Sequence, residues 1–497
     1  MDTKKIFKHI PWVILGIIGA FCLAVVALRR GEHVSALWIV VASVSVYLVA
    51  YRYYSLYIAQ KVMKLDPTRA TPAVINNDGL NYVPTNRYVL FGHHFAAIAG
   101  AGPLVGPVLA AQMGYLPGTL WLLAGVVLAG AVQDFMVLFI SSRRNGASLG
   151  EMIKEEMGPV PGTIALFGCF LIMIIILAVL ALIVVKALAE SPWGVFTVCS
   201  TVPIALFMGI YMRFIRPGRV GEVSVIGIVL LVASIYFGGV IAHDPYWGPA
   251  LTFKDTTITF ALIGYAFVSA LLPVWLILAP RDYLATFLKI GVIVGLALGI
   301  VVLNPELKMP AMTQYIDGTG PLWKGALFPF LKKTDSLVAG IIGTAGCVGL
   351  WGYLLYQGVV DPLGGVKSLW PLFGISNQML AAVALVLGTV VLIKMKRTQY
   401  IWVTVVPAVW LLICTTWALG LKLFSTNPQM EGFFYMASQY KEKIANGTDL
   451  TAQQIANMNH IVVNNYTNAG LSILFLIVVY SIIFYGFKTW LAVRNSD

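Results

Sequence analysis

The chain has 497 residues, of which 59% are hydrophobic and only 11% charged, against roughly 25% charged in an ordinary soluble domain. With a mean hydropathy of +0.85, that balance excludes a soluble enzyme or binding domain and describes an all-α polytopic membrane protein. A net charge of +12 would suit nucleic acid. Lys and Arg instead gather in short clusters between apolar runs, as in positively charged cytoplasmic loops, so the expected surroundings are membrane lipid and no nucleic acid.

The runs are continuously apolar rather than short and alternating, which predicts helices and not a β-barrel. In chain order the expected spans are 10–28, 34–58, 88–112, 118–141, 162–189, 193–213, 223–242, 257–279 and 283–303, then 335–358, 369–393, 400–421 and 469–490, about 13 in all. Lys4, Lys5 and Lys8 before the first run imitate a signal peptide. About 19 apolar residues without a small-residue cleavage site read instead as a first span, with the N-terminus in the cytoplasm. Lys61 to Arg87, Arg143 to Lys154 and Arg213 to Arg219 then all fall inside, while the outside loops "GYLPG" and "ESPW" carry no basic residue.

The third run contains "FGHHFAAIAGAGPLVGP", Phe91 to Pro107. Gly100, Gly102, Pro103, Gly106 and Pro107, with Ala101 among them, predict a discontinuous helix, tolerated at membrane depth only where protein or a water-filled cavity surrounds the opened backbone. Such breaks hold a substrate's charged group and a coupling ion in secondary transporters. Close helix packing through small residues is the alternative. His93 and His94, about two turns earlier, suit either a proton relay or hydrogen bonding near the interface.

In "AGAVQDFMVLF", Asp134 lies nine residues before Arg143, about 13 Å along a helix and so near the bilayer midplane. A carboxylate there is a candidate proton carrier, with Gln133 beside it as a polar neighbour; a structural ion pair is the other reading. Arg281 and Asp282 in "APRDYLATF" are expected in a tight loop between two spans, where they would cap a helix or, through the planar guanidinium, gate or recognise a carboxylate. Lys186 is expected to snorkel to the interface. "GASLG", Gly146 to Gly150, matches a nucleophile-elbow pattern but follows a membrane span instead of a strand. Ser148 and Glu151 there spell a helix capping box. No P-loop is present, and the five single cysteines have no metal-ligand spacing, so no enzymatic activity, cofactor or metal is expected.

The alternation of basic loops then fails. The loop 304–324 lands outside, yet Lys332 and Lys333, then Lys394 to Arg397, then Lys488 and Arg494, alternate as if Lys332 were inside. An odd number of crossings is missing between Trp323 and Lys332. Residues 321–331 span at most about 17 Å as a helix, half the hydrocarbon core, so 320–335 is expected to be irregular or re-entrant.

"FGHHFAAIAGAGPLVGPVLAAQMGYLPG", "AGAVQDFMVLF", "RRNGASLGEMIKEEMGP", "RPGRVGEVSVIG", "LPVWLILAPRDYLATFLKIG", "GVVDPLGG" and "LWPLFGISNQMLA" together resemble the carbon-starvation (CstA) family of bacterial inner-membrane transporters, across essentially the whole chain. The resemblance is strongest to the family's pyruvate:proton symporter branch; other members are associated with peptide uptake. It implies a multi-pass inner-membrane transporter with a LeuT-like core of two inverted five-helix repeats. The transported partners would be a small monocarboxylate or short peptides, coupled to protons, with sodium left open. It also implies a segment missing after Phe330, which divides the chain into 1–330 and 331–497 and leaves the inverted-repeat core incomplete. A shortened chain of this kind could also serve as a sensing or interaction protein without transport.

Overall fold

The computed structural model describes residues 3–28, 34–79, 82–100, 106–108, 110–315, 337–360, 365–428, 430–447 and 450–496. The apolar runs fold predominantly into helices, since in hydrocarbon every backbone N–H and C=O must be satisfied within its own segment. The helices are α1 (Thr3–Leu28), α2 (Ala36–Val62), α3 (Arg87–Ile98), α4 (Tyr115–Arg143), α5 (Leu149–Met157), α6 (Pro159–Leu188), α7 (Pro192–Ile215) and α8 (Val220–Ala242). They continue with α9 (Asp255–Leu271), α10 (Leu278–Leu303), α11 (Leu337–Val360), α12 (Gly365–Lys394), α13 (Trp402–Phe424), α14 (Phe433–Asn446) and α15 (Ala452–Ser496). An isolated bridge between Ser35 and Glu306 is the extent of β pairing among the described residues.

Ten helices among the described residues are long and apolar enough to cross a membrane. The expected span 88–112 is interrupted: α3 has 12 residues, about 18 Å, and stops at Ile98. The expected 257–279 ends early, with the 17 residues of α9 finishing at Leu271 just before Pro273. The final span is far longer than 469–490, because the polar turns from Ala452 continue the helix to a total of 45 residues. The stretch 320–335 falls outside the described residues.

Two packing units position the candidate residues. The larger is centred on α12 and α6 and draws in the later half of α4 together with α5, α9, α11, α13, α14 and α15. Phe373, Leu385 and Leu392 of α12, Ile175 and Leu182 of α6 and Phe475 of α15 are all fully buried there. The smaller unit joins α3, α7, α8 and α10 through Val89, Met208, Val223, Leu231, Tyr283 and Leu284. The loop after α10 ties the starts of α2 and α4 together. Ala36 N–H donates to Pro305 O at 2.9 Å, and Tyr115 and Leu116 donate to Pro310 O and Ala311 O, each at 3.1 Å. These bonds satisfy amides that a helix start leaves unpaired. Gly114, at φ +103, permits the approach, since a Cβ there would stand 2.4 Å from Ala311 O.

Candidate functional site

The site begins where α3 meets α10. Asn86 caps α3, its side chain accepting the Tyr88 N–H at 2.9 Å. Gly92 brings the two helices close: a Cβ there would meet Tyr283 Cδ2 at 2.6 Å. The Thr286 hydroxyl donates to Gly92 O at 2.7 Å, and the hydroxyls of Tyr283 and Ser224 lie 2.8 Å apart, which fixes α10 against α8 as well.

That packing sets His93 Nδ1 2.9 Å from Asp282 Oδ2, both side chains about one-third exposed. The Nδ1 atom has no hydrogen-bond partner among the described residues, so the contact is a close approach and not a hydrogen bond. Two groups that looked separate in sequence, 189 positions apart, therefore form one cluster. His94 follows His93 on α3 and is half-buried.

Arg281 and Asp282 do not lie in an interhelical loop, which corrects the expectation. The irregular stretch is 272–277, following the break at Pro273, and α10 is already helical at Leu278. Arg281 donates to Thr201 Oγ1 at 3.3 Å and to the Tyr265 hydroxyl, and its guanidinium stands 4.9 Å from the Tyr265 ring centroid. Neutral hydroxyls and a ring thus hold the charge where α7, α9 and α10 converge, without an acidic partner among the described residues.

Helix α3 ends at Ile98. Ala99 leaves helical conformation at φ −79 and ψ 52, and Gly100 N–H turns back to Ile98 O at 2.9 Å. Gly100 is half-buried, and the chain is helical again over 106–108, with Gly106 buried and Pro107 half-buried. Ala101, Gly102 and Pro103 lie outside the described residues. α3 therefore ends at Ile98, with Ala99 and Gly100 non-helical; the rest of the expected break, 101–105, lies outside the described residues.

Gln133 and Asp134 are half-buried on α4, just after a π-helical stretch at Val126–Gly130; such local widenings of a helix recur at functional sites. Asp134 makes no hydrogen bond or ion pair with any described residue. Its helix packs on α12 and α13, whereas α3 packs on α10. Asp134 and the His93–Asp282 cluster accordingly belong to different packing units. A groove of about 500 Å³, lined by Val409, Ile413, Trp417 and Tyr480 among others, lies on α13 and α15 and includes none of the candidate residues.

Several polar residues escaped the sequence reading. Lys289, within the apolar run of α10, donates to Ala96 O at 2.8 Å; its spacing of seven from Asp282, with Thr286 between, was the available signal. Asn377 of α12 and Ser472 of α15 are buried, and Asn377 Oδ1 and Ser472 Oγ have no partner among the described residues. Lys186 does not snorkel freely but is ion-paired with Asp255 at the start of α9. Ser148 and Glu151 do form the capping box at the head of α5. Among the described residues no group of three His, Cys, Asp or Glu could hold a metal ion.

These features define a multi-pass helical membrane protein whose interrupted helix is braced by charged and hydroxyl groups of a neighbour. The sequence profile described as carbon starvation protein CstA matches residues 35–334 and 330–418, and the chain belongs to that family. It is 72% identical over 693 positions to the Escherichia coli K12 protein named pyruvate/proton symporter BtsT, covering 100% of this chain and 97% of the relative. It is 45% identical over 669 positions to the peptide transporter CstA of the same organism, covering 98% and 95%. To the peptide transporter CstA of Campylobacter jejuni it is 42% identical over 587 positions, covering 83% and 84%. No solved structure matches the chain. The BtsT alignment has 693 positions and this chain 497 residues, so at least 196 positions have no counterpart here. The two matched stretches of the profile meet at 330–334, the place where the count of crossings fails.

Proposed function

We propose that this chain is a secondary active transporter of the bacterial inner membrane, importing pyruvate together with protons, with its N-terminus in the cytoplasm and a LeuT-like inverted-repeat core. The observation that carries the reading is the 72% identity, over the whole chain, to a protein named as a pyruvate/proton symporter; the peptide transporters stand at 45% and 42%. The chemistry of the site is in keeping with it. A small carboxylate needs amides or a cation, and the non-helical backbone at Ala99 and Gly100 and the Arg281 guanidinium supply both kinds of group. His93, His94, Asp282 and Asp134 supply groups that can take up and release a proton within the membrane.

The gap of at least 196 positions favours a second reading, in which the shortened chain inserts but does not transport. Uptake of labelled pyruvate into proteoliposomes, with and without an inward proton gradient and beside the full-length symporter, separates the two. Gradient-dependent accumulation by this chain supports the first. Correct insertion without uptake supports the second. Uptake of short peptides in place of pyruvate would overturn the substrate assignment.

A further inference from the structure

In an uninterrupted helix, Ala96 O would accept the N–H of Gly100, four residues on. At the break this bond is absent. Ala99 N–H serves Phe95 O at 2.8 Å and Gly100 N–H turns to Ile98 O at 2.9 Å, leaving Ala96 O to the Lys289 ammonium at 2.8 Å. Ala96 O is one of the last four carbonyls of α3, the negative end of that helix. Lys289, Thr286 and Asp282 are spaced three and four apart along α10 and so share its α3-facing side. They engage Ala96 O, Gly92 O and His93 in turn.

We infer that Lys289 is a built-in cation at the helix break, its ammonium holding the carbonyl end of α3 where a sodium-coupled transporter of this build would seat its ion. Freed carbonyls at the C-terminal end of a half-helix are the groups that coordinate sodium in such transporters. An ammonium already bonded to one of them repels a second cation, and a tethered charge does not depend on the salt outside. Lys289 is thus a positioning residue: it fixes the end of α3, and with it the geometry of the break, and it excludes sodium from this end. The inference takes its meaning for ion coupling from the transport reading, but its test does not require transport.

The test is amide hydrogen exchange over residues 92–100 of this chain in lipid nanodiscs, in sodium chloride and in choline chloride of equal ionic strength. The wild-type chain is expected to exchange equally in both salts. Lys289→Ala is expected to speed exchange at Ala99 and Gly100 at least tenfold, and Lys289→Arg, which keeps the charge, to stay within about threefold of wild type. Protection of the wild-type chain by sodium, an unchanged rate in Lys289→Ala, or failure of Lys289→Arg to restore protection would each overturn the inference. If Lys289→Ala does not fold, the wild-type comparison of the two salts and the Lys289→Arg rates decide it. Absence of pyruvate uptake would count against the transport reading while leaving the exchange result standing.

Discussion

The unit around α12 and the unit around α10 are both built from apolar helices and are packed to very different degrees. Of the most apolar window of α12, 78% of residues are buried, against 6% for α10. After Thr286, α10 leaves Leu288, Ile290, Val292, Leu296 and Val302 exposed among the described residues. The difference shows which property each level of structure needs. A helix forms in a membrane because its own backbone must be satisfied. Its packing depends on partner helices, since lipid tails are as apolar as leucine and do not drive helices together. The two stretches matched by the family profile meet at 330–334, between α10 and α11 in sequence, and α10 belongs to the thinly packed unit, which also holds the end of α3 and the His93–Asp282 cluster.

The largest effect expected from the comparison concerns its two carboxylates. Asp282 has His93 within 2.9 Å, while Asp134 sits beside the better-packed unit with no described partner. If Asp134 carries the proton, Asp134→Asn in a full-length relative abolishes gradient-driven accumulation of pyruvate and leaves insertion intact, because an amide cannot carry a proton. Normal concentrative uptake by that variant would move the proton path to the α3–α10 cluster.

Next in size is packing itself. Phe373 of α12 is fully buried, and Phe373→Ala removes a large side chain from a closed core, at about 3–5 kcal/mol. Leu296 of α10 is 64% exposed, and Leu296→Ala is expected to change stability by no more than about 0.5 kcal/mol. Thermal unfolding of both variants in one detergent checks the contrast; equal losses would mean that α10 is as closely packed as α12.

The sequence made the apolar helices, the break at Gly100 and the capping box at Ser148 legible, because each depends on neighbouring residues: hydropathy over a window, breakers within eight positions, a serine and a glutamate three apart. It gave the wrong setting for Arg281 and Asp282 because Pro273, not the charged pair, ends the preceding helix. It missed Lys289, since a lysine in an apolar run reads alike whether it meets lipid headgroups or a carbonyl 193 residues away in sequence. The His93–Asp282 approach was hidden for the same reason.

A smaller effect is expected where α5 meets the end of α12. Glu156, 4% exposed, accepts from Arg144 and from Lys394 Nζ at 3.1 Å. Burial pushes its carboxyl up, but these hydrogen bonds and charges prevail and hold it below the ordinary glutamate value. The stabilisation is complete above that ordinary value of about 4.3, fades below it, and is gone once the pH falls through the lowered folded value. Glu156→Gln is expected to cost about 1–3 kcal/mol near neutrality, discounted because both cations are over one-third exposed. The variant should also lose this part of the acid sensitivity. A melting temperature in Glu156→Gln that falls with acid as steeply as in the parent chain would show that another carboxylate is responsible.

The smallest effect tests the capping box at the head of the same helix. Its two halves are unequal: Glu151 Oε2 accepts the Ser148 N–H at 2.7 Å and the Ser148 hydroxyl at 2.8 Å, whereas Ser148 Oγ accepts the Glu151 N–H at only 3.5 Å. Replacing a capping serine costs about 1 kcal/mol in general, and so long a bond places Ser148→Ala near about 0.5 kcal/mol, the lower end of that range. Glu151→Ala removes the two short bonds and also a negative charge from the first turn, where it opposes the positive end of the helix. It should therefore destabilise α5 more than Ser148→Ala does, although the serine holds the conventional capping position. Exchange rates of the Ser148 and Glu151 amides in the two variants measure the order directly. The reverse order would mean that the hydroxyl, and not the glutamate, anchors the start of α5 against the larger core.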